Sequence, residues 1–387
     1  MSAPRVPSLL WKEIASGAAA AAADDVDRNA RFPIEAITEA KRAKLLGAYV
    51  PEELGGLGCS IEDLGAMCNA IGQGCSAAGM VLAMHHIQVA CLVHHGLGSP
   101  RLRSYLQELA ERQLLIASVT SEVGTGGDLR SSVCSLVRDA HGFTLRKDAT
   151  TISYGEHADD LLVTCRRTPE SPANDQVLVL VRGAEVTLEK TSRWDTLGMR
   201  GTCSPGFVMT SRGAGDQVVP VTFANIASQT MVPFSHLLWS SLWLGIATDA
   251  VTRARTFVRE QARRTPGTTP PTAHRLAEVW SLLQTMRAGV HDVMLEYQQL
   301  LEEDGGLQKT TTLAFALRMN NLKVAASQHV VDIVQRALLI CGIAGYKNDS
   351  RFSLGRHLRD ATSAPLMVGN DRILATNASL LLVLKGE

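Results

Sequence analysis

Aromatic residues make up only 5% of this 387-residue chain, and an excess charge of either sign is missing altogether. The 38 Lys and Arg balance 38 Asp and Glu, so no electrostatic footprint for nucleic acid or an anionic membrane is present. No apolar run reaches the roughly 18 to 20 residues that span a bilayer. The alanine run at 18–23 is followed at once by Asp24, Asp25 and Asp27. It has neither the basic start nor the apolar core of a secretory leader. A cytoplasmic chain, with no membrane and no nucleic acid among its partners, is the expectation.

Cysteine pairing motifs are absent too. The eight cysteines are Cys59, Cys68, Cys75, Cys91, Cys134, Cys165, Cys203 and Cys341, and no two form C-x-x-C. Cys91 and His94 have C-x-x-H spacing, but no second pair at ligand spacing accompanies them. Neither a metal site nor a disulfide framework is expected; the cysteines read as small buried hydrophobes in a reducing compartment.

What is present is length and apolar content. At 45% apolar and 20% charged, the chain can bury a core of two or three domains. Residues 8–113 read as helices, with apolar positions at helical spacing over 35–46, 61–71 and 79–93. A Pro/Gly connector at 50–58 separates the first two of these. From 118 to 225 short β-rich runs alternate with turns (132–137, 143–146, 160–165, 176–181, 185–189 and 206–209), the pattern of a small sandwich or barrel. Helical periodicity returns over 236–264, 273–303, 309–340 and 371–384, enough for a bundle. The boundaries fall at 1–117, 118–225 and 226–387: a helical domain, a β domain and a helical bundle, an α+β chain.

At the head of the β region stands T-S-E-V-G-T-G-G-D, Thr120 to Asp128. Three glycines in four positions allow positive φ and close backbone approach, and the neighbouring hydroxyls supply short donors. Such a loop suits a flat, phosphate-bearing cofactor. Four further stretches stand in order around it: V-P-E-E-L-G-G-L-G from Val50, L-G-M-R-G-T from Leu197, C-G-I-A-G-Y from Cys341, and Arg359-Asp360-Ala361. Together the five resemble the acyl-CoA dehydrogenase family of flavoproteins along nearly the whole chain.

The resemblance implies an N-terminal helical domain, a middle β-sandwich or barrel and a C-terminal four-helix bundle. It implies FAD, held in a homo-oligomer (a tetramer or dimer) whose neighbouring subunit completes the site. Carried over by motif, Ser121, Gly126 and Gly127 would meet the flavin, with only a backbone N–H at Gly127 where the family usually has Ser. T-I-S-Y-G, Thr151 to Gly155, matches W-I-T-N-G, so Ser153 stands for the flavin-contacting Thr and Thr151 replaces a Trp. Arg263, or its neighbour Arg264, lies near the family's pyrophosphate arginine. Gly342 and Gly369 fall at further cofactor turns, and Leu339 stands where many members carry Gln. Met80, Ala83, Met84, His86 and Val368 would line the substrate pocket, with Trp239 beside them.

The family's dehydrogenases remove an α-proton with a Glu. Counting from Arg359-Asp360-Ala361, that position is Val368, which cannot accept a proton. A position used by some relatives falls near Ser235, beside His236. His236 and His85 are therefore the candidate bases, set against their blander reading as capping and core histidines. Glu122, Asp371 and Glu156 read as structural, ion-paired and solvated. The resemblance favours dehydrogenation of an acyl thioester, on CoA or an acyl-carrier protein, by a variant base, with electron-transfer flavoprotein as partner. The alternative is a monooxygenase of the same fold that uses O₂ and a separate flavin reductase. A flavin-binding scaffold without activity is the third reading.

Overall fold

A computed structural model describes residues 8–140 and 142–384. Its first helices are α1 (Ser8–Ile14) and α2 (Ala20–Arg28), joined by a wide turn that bends at Gly17. Next come α3 (Ile34–Arg42), α4 (Ile61–Gly74), α5 (Ser76–Gly96) and α6 (Pro100–Arg112). The helix expected over 35–46 stops at Arg42, because Lys44 takes a left-handed φ of 58° and residues 45–47 tighten into a 3₁₀ turn. α4 starts at a capping box: Asp63 N donates to Ser60 Oγ at 3.1 Å and Ser60 N to Asp63 Oδ2 at 3.0 Å.

Seven strands follow: β1 (Ile116–Val119), β2 (Val137–Asp139), β3 (Gly142–Ala149), β4 (Asp160–Arg166), β5 (Gln176–Arg182), β6 (Val186–Lys190) and β7 (Phe207–Gly213). One sheet runs β1-β4-β5, with β1 parallel to β4 and β4 antiparallel to β5. The other runs β2-β3-β7-β6, antiparallel throughout. β3 alternates buried with less buried positions, while β4 and β5 are buried almost end to end, as strands covered on both faces are. The run 132–137 is mostly not a strand. Its backbone N–H groups at Val133 and Cys134 turn instead to the buried Glu122 carboxylate.

The rest is helical: α7 (Phe223–Ile226), α8 (Val232–Arg264), α9 (Ala273–Glu302), α10 (Gly306–Lys309), α11 (Leu313–Cys341), α12 (Ile343–Tyr346), α13 (Gly355–Thr362) and α14 (Asn370–Leu381). α8 is the axis, packing on α9 and α11 and also on α4 of the N-terminal helices. Gly245 makes that last contact possible, since a Cβ there would stand 2.3 Å from Asn69 O. The architecture is the expected α+β order of helices, sheets and helices. One expectation changes. α5 and α11 are both long and apolar enough to cross a membrane by length and composition. In α5, however, 89% of that stretch is buried inside the protein, so its apolar surface faces the protein's own core.

Candidate active site

A cavity of about 950 Å³ opens where α5, α8, the loops after β1 and β3, the 194–204 segment and the start of α14 converge. One wall is rich in hydroxyls: Ser118, Thr120, Ser121, Thr151, Ser153 and Ser204. These loops are tied to each other. Ser121 Oγ donates to Thr151 O at 2.6 Å and accepts from Thr151 N at 3.1 Å. Ser204 Oγ donates to Ser153 Oγ at 2.9 Å. Tyr154, at φ 44°, donates from its N to Thr202 O and from its hydroxyl to Ile116 O in β1. Beneath the loop Glu122 is buried, bonded to Ser132 Oγ at 2.7 Å and to Lys147 Nζ at 3.3 Å.

The opposite wall is apolar. α5 presents Met80, Met84 and Ile87 one helical turn apart, with Gln88 beside them. α8 presents Ser235, His236 and Trp239. The third side is Leu366 to Gly369 with Asp371 and Arg372. Val368 is 44% exposed and carries a φ of 56°, a left-handed conformation that a β-branched residue rarely adopts. Arg372 donates to Gly126 O across the mouth. Asp360, of the Arg-Asp-Ala triplet, holds this side in place: Met199 N donates to its Oδ1 at 2.7 Å and Ser76 Oγ donates to Oδ2. Burial raises its carboxyl above the usual range.

A flavin fits these walls on the structure's own terms. Gly126 and Gly127 have φ of 57° and 79°, and a Cβ at Gly127 would meet Arg372 at 3.3 Å. The loop thus offers bare backbone beside a guanidinium, chemistry suited to a phosphate. The hydroxyl wall facing a methionine wall suits a flat ring with one polar edge. Ser121, Gly126, Gly127, Thr151, Ser153 and Gly369 would be the residues holding it.

Of the expected site residues, the cavity brings together Met80, Met84, Ser121, Gly126, Gly127, Thr151, Ser153, His236, Val368 and Gly369. Five others lie elsewhere. His85 is a structural histidine: Ile116 N donates to its Nδ1 at 3.1 Å and its Nε2 bonds Leu46 O at 2.8 Å. With both nitrogens bound to backbone, it has no lone pair for a base. His86 is buried away from the cavity, its ring edge-on to His85 at 4.9 Å. Ala83 is fully buried and does not line the cavity, although helical spacing puts it on the face of Met80 and Ile87. Arg263 is at the far end of α8, about 40 Å from His236 at 1.5 Å per residue. Gly342 ends α11 and donates its N–H to Leu338 O.

Burial drives the His236 pKa down to about 3, helped by the Lys323 charge and opposed by a hydrogen bond with Asn320. The cavity also contains residues not singled out from sequence, Gln88, Trp194, Thr196, Ser204 and Met231, and Arg372, expected only as the ion-pair partner of Asp371. Gln88 was findable, since it stands one turn beyond Met84 and two beyond Met80. Trp194 had no local signal; it lines the site because its Nε1 donates to Met199 O at 3.2 Å.

Fold and site together define a flavin-dependent oxidoreductase. The descriptions acyl-CoA dehydrogenase, N-terminal domain, and acyl-CoA dehydrogenase, C-terminal domain, match residues 10–113 and 227–379. The chain belongs to the acyl-CoA dehydrogenase family. Among curated relatives, it is 25% identical over 362 residues to the amino sugar nitrososynthase DnmZ of Streptomyces peucetius, covering 89% of this chain and 84% of that one. It is 26% identical over 377 residues to the cyclohex-1-ene-1-carbonyl-CoA dehydrogenase of Syntrophus aciditrophicus, covering 92% and 84%. Among solved structures, FMN-bound TdsC of Paenibacillus sp. A11-2, a dibenzothiophene monooxygenase, superposes with a TM-score of 0.82 at 18% identity, covering 97% and 96%.

Proposed function

We propose that this chain is a monooxygenase that works with reduced flavin and O₂, with a separate flavin reductase as electron partner. The observation that carries this reading is Val368. Acyl-thioester dehydrogenation, which the resemblance alone favours, needs a carboxylate made basic by burial at the cavity wall. The wall has two carboxylates. Asp128 accepts from Arg130 Nε at 3.1 Å, and Asp371 is exposed at the mouth. His236, the imidazole at the wall, is held neutral down to about pH 3, which makes it a poor proton acceptor.

A bound reduced flavin supplies the electrons with which O₂ is activated. The chain's own part is to hold the ring at the hydroxyl wall and to keep water away with Met80, Met84, Ile87 and Met231. It then orients the substrate against α8. A relative named as a nitrososynthase and a neighbour named as a monooxygenase support the reading, as they show what this fold carries elsewhere.

We assign the flavin as FAD and the assembly as a homo-oligomer. Leu339, Ile343 and Tyr346 are exposed around Gly342, an apolar patch suited to a second copy. A second copy would bring its own Gly342 turn and Arg263 toward the outer half of the cofactor. The localisation we assign is cytoplasmic, where eight free thiols persist. The test is turnover with NADH, a flavin reductase and ¹⁸O₂. Label in the product supports the reading; an unlabelled desaturated thioester formed without O₂ overturns it.

A further inference from the structure

Three side chains of the cavity wall each keep a polar atom with no hydrogen-bond partner: Gln88 Oε1, His236 Nδ1 and Trp239 Nε1. The residues are 2%, 3% and 9% exposed. They come from two packed helices, Gln88 from α5 and the other two one turn apart on α8, with the His236 and Trp239 ring centroids 6.3 Å apart. Met80, Met84, Ile87 and Met231 line the same cavity.

Nothing among the described residues answers these atoms. Gln88 Nε2 reaches Met84 O only at 3.4 Å, the long limit of a hydrogen bond. A buried polar atom left unpaired is destabilising, and three belong to residues of one wall. Leucine at 88 or phenylalanine at 239 would fill similar space without that penalty. Other buried polar atoms among the described residues, Ser240 Oγ and Trp243 Nε1 of α8 included, also go unpaired; these three differ in belonging to residues that line one cavity.

The donor inventory narrows that occupant. Trp239 Nε1–H can only donate and Gln88 Oε1 can only accept. Nδ1 of His236 is a buried ring nitrogen without a partner among the described residues. A hydroxyl both donates and accepts and a protonated amine donates, while a methylene does neither. Each of the three atoms is itself shielded from solvent, and the terminal torsions of Gln88 and His236 are soft enough to turn toward a ligand.

We infer that this end of the cavity is a polar substrate subsite, where Gln88, His236 and Trp239 hold a hydroxyl- or amine-bearing ring or chain instead of a bare hydrocarbon acyl group. The inference rests on the oxygenase reading for the reaction that follows binding, while the subsite is tested by binding alone.

The test uses flavin-loaded protein and two matched pairs of probes: 3-aminobutyryl-CoA against butyryl-CoA by calorimetry, and trans-2-aminocyclohexanol against toluene by ligand-observed NMR. The polar member of at least one pair is expected to bind about tenfold more tightly, the worth of one well-made buried hydrogen bond. Gln88→Leu should abolish that preference by weakening the binding of the polar member. Trp239→Phe serves as the second variant, with flavin content and melting temperature confirming that each variant folds. An equal or tighter fit for the apolar member in both pairs overturns the inference. So does a preference that survives both variants, or no binding of either polar probe. If the preference holds but the bound probe bleaches oxidised flavin without O₂, the subsite stands and the oxygenase reading falls.

Discussion

Lys323 Nζ donates to Oδ1 of Asn370 at 2.7 Å, linking the middle of α11 to the first residue of α14. Lys323 is fully buried, and no carboxylate among the described residues pairs with it; the face of Trp243 lies 5.8 Å from Nζ. Asn370 is held on its other side by Ser327, to whose Oγ its Nδ2 donates at 3.0 Å. The residues just before it, Val368 and Gly369, have φ of 56° and 49°. A left-handed valine costs about 1–2 kcal/mol, so the Lys323–Asn370 bond fixes where a strained turn presents its side chain to the cavity.

That buried charge leaves a signature in alkaline solution. Burial lowers the Lys323 pKa from 10.5 to about 8. Between those values the unfolded chain holds the proton and the folded chain has released it, so stability rises with pH across that window. The gain is roughly 3 kcal/mol in all. Urea unfolding from pH 7.5 to 10.5 should show this slope in the wild type and lose it in Lys323→Met. An unchanged slope in the variant would contradict the assignment.

In acid the histidines dominate. Burial lowers His85, His94 and His95 to about 4 and His236 to about 3. Below pH 6.5 the unfolded chain gains protons that the folded chain refuses, so stability falls as pH drops. By pH 5 each such group costs roughly 2 kcal/mol. His236→Gln should recover about that amount of the loss between pH 7 and pH 5, measured by chemical denaturation. A variant that loses as much as the wild type would mean that His236 is not buried neutral.

Beneath the Gly-rich loop, Lys147 and Glu122 form a buried ion pair at 3.3 Å. Lys147→Met leaves the Glu122 charge uncompensated and should cost about 3–5 kcal/mol. Adding Glu122→Gln should restore much of it. Flavin affinity should follow the same order, because Glu122 also anchors the segment between Ser121 and Gly126. Additive effects of the two substitutions in a double-mutant cycle would refute the coupling.

Val368→Glu puts a carboxylate at the family's base position but on a half-exposed turn. The oxygenase account predicts that the variant still fails to bleach flavin with butyryl-CoA. A gain of thioester oxidation would show a dehydrogenase with its base removed.

Much of this was legible in the sequence. The three long helices α8, α9 and α11 were placed to within a few residues by periodicity alone, because their apolar faces repeat for seven turns or more. The motifs around Ser121, Thr151, Leu197 and Val368 do converge on one cavity. What escaped is what depends on distant partners. β1 is a strand because Ile116 pairs with Asp160, which the short run 114–119 does not announce. His85 looks like a pocket histidine until Leu46 O and Ile116 N are seen to bind both its nitrogens. Arg263 and Gly342 carry the family's motif yet lie outside the cavity of a single chain. Lys323, 47 residues from Asn370, could not be read as the anchor of α14 at all.

The central claim is that no proton-abstracting base serves this cavity and that oxygen does the chemistry. The most direct measurement is the absorption of the flavin-loaded protein, first without oxygen and then with it. Under anaerobic conditions, butyryl-CoA and longer acyl thioesters should leave the oxidised flavin band unchanged. Chemically reduced protein mixed with O₂ should consume it with product formation when a polar substrate is present. Bleaching of the oxidised band by any acyl thioester in the wild type would contradict the account.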